Sequence, residues 1–270
     1  WTRALKQELV KNRTFVFESD CLVKGLYRPF TKRWMYFNRR FNEMVYQMPK
    51  IFPVTGEFNL AICATGSGAK TFSALITDTL PCLDAVEKGQ CFPLSLFERE
   101  ENHKDSMEAD MFTNVETIEH DGDKLIVKDG ITDEGLKHFT DAYNGASISK
   151  EDLFYYIYGL LHSEEYKARY ADNLSKELPR IPAVKKFEDF MAFSAAGRKL
   201  ADLHLNYETV EPYAVSIEGG ALLLSTFTDS DYYVTQMKFA SKADKSTVIY
   251  NHKITMHNIP VEAYGYVVNG

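Results

Sequence analysis

The chain predicts an α+β protein, with mixed or antiparallel β-sheets before and after a central helical segment. Three observations predict it. Short β-branched and aromatic runs broken by turn residues fill the chain to about residue 97; apolar residues recur every three or four positions over 132–205; the period returns to two from about 213.

In the first part, Thr14–Phe17, Trp34–Phe37, Asn59–Ala64 and Phe72–Ile76 read as strands, separated by turns at Gly25, Pro29, Pro53-Val54-Thr55-Gly56 and Gly66-Ser67-Gly68. Phe92–Phe97 reads as an edge strand, because Pro93 has no N–H to give a ladder. Residues 98–131, with Glu98-Arg99-Glu100-Glu101 and Asp121-Gly122-Asp123, read as an acidic connection holding a small hairpin around Lys124–Val127.

The helical part announces its own caps. Ser149 followed by Asp152 three positions later is a capping box, and Leu153, Tyr156, Ile157, Leu160 and Leu161 follow at helical spacing. Ser163 caps a second helix with Tyr166, Tyr170 and Leu174 on one stripe. Pro179-Arg180-Ile181-Pro182 ends it, since neither proline donates a backbone hydrogen bond. A longer helix then presents Phe187, Phe190, Met191, Ala195, Leu200 and Leu203 as a core face. Beyond it, Leu222–Leu224, Tyr232–Thr235, Thr247–Tyr250 and Tyr264–Val268 read as strands. One module over 1–270 is expected, with a β-rich subregion 1–97, the connection 98–131, a helical subregion 132–210 and a second β-rich subregion 211–270.

Composition bounds the function. With 45% hydrophobic residues in 270, the chain is neither disordered nor short of core. No apolar run approaches the roughly 20 residues of a membrane span, so no membrane partner is expected. The start at Trp1 lacks a signal-peptide core and reads as a piece of a longer, cytoplasmic protein. Cys21, Cys63, Cys82 and Cys91 form no C-x-x-C pair and read as free thiols rather than a metal knuckle.

Catalytic patterns are not found. Ala64-Thr65-Gly66-Ser67-Gly68-Ala69-Lys70-Thr71 approaches a phosphate-cradling loop, but alanine stands at both anchor points and a strand, not a helix, follows. His252 and His257, five apart, would face opposite sides of a strand; His204 and Glu208 read as a surface pair; Asp229 and Asp231 lack the rest of a calcium loop. No nucleophile elbow and no methyltransferase loop is present, so this fragment is not expected to be an enzyme or to hold a metal or cofactor.

The net charge of -7 conceals an asymmetry. Residues 1–53 hold eleven Lys/Arg against four Asp/Glu, leaving 20 against 34 for the rest. Residues 25–40 interleave five cations (Arg28, Lys32, Arg33, Arg39, Arg40) with five aromatics (Tyr27, Phe30, Trp34, Tyr36, Phe37). Guanidinium groups fork onto phosphates or guanine edges, and aromatics either stack on bases or pack a strand pair whose cations are merely solvated. Both readings stand on composition alone.

Tyr27-Arg28-Pro29-Phe30, with Arg33 and Tyr36, resembles a segment of the C-terminal specificity region of Type ISP restriction–modification enzymes. Further segments agree in order: Asp152–Ser163 continuing through Tyr166, Tyr170, Asn173-Leu174 and Leu178–Pro182; Gly197–Leu205 with Tyr207-Glu208; and Ile259–Ala263 with Tyr264 to Asn269-Gly270. The resemblance implies a parent with a nuclease, a helicase-like ATPase and an adenine-N6 methyltransferase, in which this chain is the target-recognition domain. S-adenosylmethionine, ATP and magnesium then belong to other domains. The implied partners are double-stranded DNA and the methyltransferase domain of the same polypeptide. Arg28, Lys32, Arg33, Tyr36, Arg39 and Arg40 are the candidate DNA contacts, with Ser67 and Lys70 on a second loop. The alternative is a docking module between methyltransferase and motor with little DNA contact, which the acidic remainder and the wide helical stripe favour.

Overall fold

The computed structural model describes residues 2–53, 56, 58–99, 117–120 and 123–268. Trp1, Val54, Thr55, Glu100, Glu101, Asp121, Gly122, Asn269 and Gly270, named above, lie outside the described residues. The chain forms two compact units, residues 1–208 with 268–270, and residues 209–267.

In the larger unit, α1 (Arg3–Val10) begins at Thr2, whose hydroxyl accepts from Leu5 N at 3.0 Å. β1 (Leu22–Arg28) and β2 (Thr31–Tyr36) form an antiparallel hairpin, and α2 (Met48–Ile51) follows. Then come β3 (Ala61–Ala64), β4 (Ala74–Thr77), β5 (Leu80–Pro81), β6 (Gln90–Pro93), β7 (Ser95–Arg99), β8 (Thr117–His120) and β9 (Asp123–Asp129). They assemble as three small sheets ordered β2-β1-β5, β4-β3-β6 and β7-β9-β8. The sequence expectation of α+β architecture is met, and β8–β9 is the hairpin expected around Lys124–Val127.

Residues 14–17 are not a strand. Phe15 and Phe17 turn to the rings of Phe41 and Tyr36, and Val16 stays 84% exposed, so no ladder forms there. Gly25 is not a turn residue either. It lies mid-strand opposite Arg33, where a Cβ would meet Met35 Sδ at 2.8 Å and Leu80 O at 3.0 Å, so its bareness admits β5 beside β1. The expected strand 92–97 divides at Leu94 between two sheets. Gly130 crosses there so closely that a Cβ would lie 1.9 Å from the Pro93 carbonyl, while Asn59, buried, holds both Leu60 N and Ser95 N. Pro93 does sit on an edge strand, as its missing N–H requires.

The helices are α3 (Asp133–Ala142), α4 (Lys150–His162), α5 (Glu164–Arg169), α6 (Ala171–Leu174) and α7 (Phe187–Leu205). Ser149 and Asp152 make the reciprocal capping box, and Ser163 caps α5. α4 and α7 cross with their backbones in contact: a Cβ on Gly197 would lie 2.0 Å from Tyr155 O, and one on Gly159 2.5 Å from Phe193 O. This close approach changes the face expected for α7. Phe190, Ser194, Gly197 and Ala201 are buried, whereas Met191, Ala195 and Leu203 are exposed, because small residues rather than large ones permit the crossing. Tyr156 stacks on Phe190 with centroids 4.5 Å apart, and β3 and β4 close the core through Leu60, Ile62, Ala74 and Ile76. The Pro179–Pro182 segment is tied down by tyrosines: Tyr166 Oη donates to Arg180 O at 2.8 Å and Tyr156 Oη to Pro182 O at 2.6 Å. The Arg180 side chain, 85% exposed, pairs with Glu177.

The smaller unit contains β10 (Ser216–Ile217), α8 (Gly220–Leu224), β11 (Lys238–Phe239), β12 (Val248–Ile249) and β13 (Thr255–His257), in an antiparallel sheet ordered β10-β13-β12-β11. Three expected strands are absent here. Leu222–Leu224 is helical, since Gly219 and Gly220, at φ +84° and +64°, turn the chain ahead of it. Tyr232–Thr235 follows a 3-10 turn at Asp229–Tyr232 fixed by a Thr228–Asp231 capping box. Tyr264–Val268 falls largely on and after another 3-10 turn at Val261–Gly265, which Pro260 starts. Only Val248–Ile249 of the run 247–250 pairs.

Candidate nucleic-acid interface

The β1–β2 hairpin is built so that its arginines are backed by rings. The Arg33 and Arg28 guanidinium carbons lie 4.7 and 5.2 Å from the Tyr27 centroid, and Arg28 Nη1 donates to Asp84 O at 3.1 Å. On the other side of the strand pair, Lys24 lies over Trp34, which is 65% exposed. After β2, Arg40 lies 5.4 Å from the Phe15 centroid. Arg39 and Arg40 line a cleft of about 550 Å³ with Arg13, Phe15, Glu8 and Glu43. Among the described residues, Arg28, Arg33, Arg39 and Arg40 are exposed and none is in an ion pair. An aromatic face holds the Arg28, Arg33 and Arg40 guanidinium groups in place without neutralising them, so that with exposed Arg39 four positive charges remain open to an incoming anion.

Three of the other sequence candidates, Lys32, Tyr36 and Ser67, are committed within the protein. Lys32 Nζ lies 3.1 Å from Asp78 Oδ1 and donates to Leu205 O at 3.2 Å, largely buried. Asp78 Oδ1 is buried and, among the described residues, accepts no hydrogen bond, so Lys32 supplies its counter-charge. Tyr36 Oη accepts from Glu18 N at 3.1 Å while its ring packs on Phe17 and Phe41. Ser67 Oγ donates to Lys176 O at 2.5 Å, and Gly68 N donates to Ser175 O. Gly66 is needed because a Cβ would fall 2.3 Å from Lys88 O. The loop is thus a packing contact with the segment after α6, and β4 follows it as expected. Lys70 is exposed beside Lys167 in a second cleft floored by Phe72 and Leu174.

Behind the hairpin, four separate stretches of sequence meet. Phe30, at φ +55° in the hairpin turn, sets its ring edge-on to His204 and Tyr207, each centroid 5.4 Å away. Tyr158 Oη is 2.5 Å from His204 Nδ1 and accepts from Ile76 N at 3.2 Å. His162 Nδ1 meets Tyr158 O at 2.9 Å. Burial, reinforced by the neighbouring His162, pushes the His204 pKa down to about 4, and burial lowers that of His162. The expectation of a surface His204–Glu208 pair is therefore corrected: His204 faces Tyr158, and Glu208 faces the Tyr207 hydroxyl. Composition could not single out Phe30, Tyr158 and His204, although each lies in a segment that carried the family resemblance. In the smaller unit, His252 precedes β13 rather than sharing its strand with His257, and Asp231 is drawn down to about 2 by Lys253 and Thr228. Among the described residues no three His, Cys, Asp or Glu side chains gather as a metal site, and no helix is long and apolar enough to cross a membrane.

An α+β chain with ring-backed, unpaired arginines on a fixed hairpin has the surface chemistry of a polyanion-binding module. The chain belongs to the family described as Type ISP C-terminal specificity domain, whose profile matches residues 1–270. Among solved structures, it is similar to the ATP-dependent Type ISP restriction–modification enzyme LlaBIII bound to DNA, at 34% identity and TM-score 0.75, over 100% of this chain and 16% of that one. The DrdV–DNA complex matches at 33% identity and TM-score 0.76, over 99% of this chain and 24% of that one. A nuclease-deletion mutant of the Type ISP enzyme LlaGI with a DNA substrate mimic matches at 33% and 0.70, over 100% and 18%. The chain thus spans less than a quarter of the length of these relatives. No curated protein matches it.

Proposed function

We propose that this chain is the target-recognition module of a Type ISP restriction–modification protein and binds double-stranded DNA with sequence specificity. The observation that carries the reading is the hairpin, where Arg28 and Arg33 share the Tyr27 ring and leave their charge available to phosphate. Arg28, Arg33, Arg39 and Arg40 fix the register on the duplex, and polar side chains of adjoining loops read base edges. Lys70 gives a second backbone contact. Lys32 and Tyr36 act from behind, by holding the surface that carries the arginines, and Ser67 fixes the loop that carries Lys70. Membership of the family and the DNA in the related complexes support the same partner here. In the parent, a methyltransferase domain of the same polypeptide extrudes its adenine while this module grips the duplex. S-adenosylmethionine, ATP and magnesium serve the other domains, and the protein works in the cytoplasm.

The test is affinity for the parent's target duplex and for a scrambled duplex across a salt series. Specific recognition gives a gap between the two and a log–log salt slope of several, at about 0.9 per displaced phosphate contact. Equal, weak binding to both would replace this reading with that of a docking module.

A further inference from the structure

We propose that Cys63 and Cys91 form an oxidisable dithiol that closes to a disulfide on reaction with a low-molecular-weight disulfide, Cys91 attacking and Cys63 resolving. The two residues are directly opposite in the β3–β6 ladder, and their sulfurs are 3.3 Å apart. Partners across antiparallel strands have Cα atoms about 4.5–5.5 Å apart, inside the range a disulfide spans, so side-chain rotation alone can bring the sulfurs to bonding distance.

The two thiols are not equivalent. Cys63 is 1% exposed in a cluster with Leu26, Leu75, Ala85 and Val86, whereas Cys91 is half-buried on β6, an edge strand flanked by exposed Gln90 and Phe92. Of the two, Cys91 is the more accessible to a small oxidant. The two sulfurs share a hydrogen bond, which lowers the Cys91 pKa and, together with burial, raises that of Cys63. The accessible sulfur is therefore also the better nucleophile. Its thiolate attacks one sulfur of R–S–S–R and expels R–S⁻, leaving Cys91 in a mixed disulfide. Cys63 then attacks the Cys91 sulfur, its proton passing to the departing R–S⁻, which leaves as the second R–SH. Two protein thiols are oxidised by two electrons and one small disulfide is reduced to two thiols.

A third cysteine competes and is held back. Cys82 Sγ donates to Tyr27 O at 2.8 Å, an attachment of β5 to β1 rather than to the pair. The loop closed by the bridge contains both Cys82 and Asp84, whose contacts support Tyr27 and Arg28. Oxidation therefore stiffens the base of the arginine hairpin.

The experiment treats the full chain with oxidised glutathione, then denatures it, alkylates it and maps the peptides. Alkylatable thiols fall from the four free cysteines to two, the mass drops by two hydrogens, and a Cys63–Cys91 cross-linked peptide appears that reductant removes. The oxidised chain melts a few degrees higher, as loop closure requires. Cys91→Ser abolishes the bridge, Cys82→Ser leaves it intact, and Cys63→Ala accumulates the glutathione adduct at Cys91. Because Cys91 is half-buried, its serine variant keeps the test usable even where a change at Cys63 disturbs folding. Four alkylatable thiols after oxidation, or a bridge that includes Cys82, would overturn the proposal.

Discussion

Lys32 and Arg33 are neighbours in one basic run, yet their side chains leave the strand on opposite faces and solve different problems. Lys32 goes inward to Asp78 and to the last turn of α7, where a cation also meets the negative end of the helix. Removing it strands the buried Oδ1 of Asp78. Lys32→Met should lower stability by about 1–2 kcal/mol in denaturant titrations, and a paired Lys32→Met/Asp78→Leu change should recover most of the loss. Arg33→Glu should change stability by less than about 0.5 kcal/mol. It should weaken duplex binding for every sequence and reduce the salt slope by about one to two. If Arg33→Glu instead unfolds the chain, its role is structural. Composition could not separate the two, because a cation count does not say which face of a strand each occupies.

His204 gives a residue-scale prediction in pH. Its folded pKa is about 4, against an ordinary 6.5, so the unfolded chain takes up the proton first as pH falls. Its stabilising effect is complete above about pH 6.5 and is lost progressively down to about pH 4, below which it is flat. His204→Gln should keep the link to Tyr158 without the titration, so its denaturation midpoint should fall less steeply than wild type across that window. Parallel curves for the two proteins would rule His204 out as a contributor.

Among elements, the legible ones carry their signals locally. Ser149 and Asp152 mark the start of α4 with three residues between cause and effect, and Ser163 does the same for α5. Ser149→Ala should cost about 1 kcal/mol. The strands of 209–267 were illegible because two-residue ladders leave almost no periodic trace, whereas capping at Thr228 and the turn at Gly219-Gly220 decide the backbone there. The buried face of α7 escapes the sequence pattern for another reason: the spacing of large apolar residues does not reveal a crossing made by glycines. Gly197→Ala decides between two effects of opposite sign. Helix propensity favours alanine by about 1 kcal/mol, but the new methyl would overlap the Tyr155 carbonyl at 2.0 Å. Backbone cannot yield as a side-chain tip does, so the variant should be destabilised by about 2 kcal/mol net, read from the shift in its urea midpoint. A stabilised variant would mean that the helices separate freely.

At the scale of the molecule, the distribution of buried surface differs sharply between the two units. Residues 1–208 hold a core in which Tyr156, Tyr158 and Phe190 are fully buried against β3 and β4. Among the described residues of 209–267, only Val248, Asn251 and Ile254 are buried, and no strand exceeds three residues. Local opening is resisted by buried apolar contacts and long ladders, so the smaller unit should open far more often than the larger one. In hydrogen exchange, amides of β12 and β13 should exchange many-fold faster than those of β3, β4, α4 and α7. Adding a duplex should then slow exchange in β1, β2 and the turn holding Arg39 and Arg40, if the hairpin is the contact. The helical core, already protected, should change little. Uniform protection along the chain would contradict the burial argument, and slowing confined to 209–267 on adding duplex would move the interface away from the arginines.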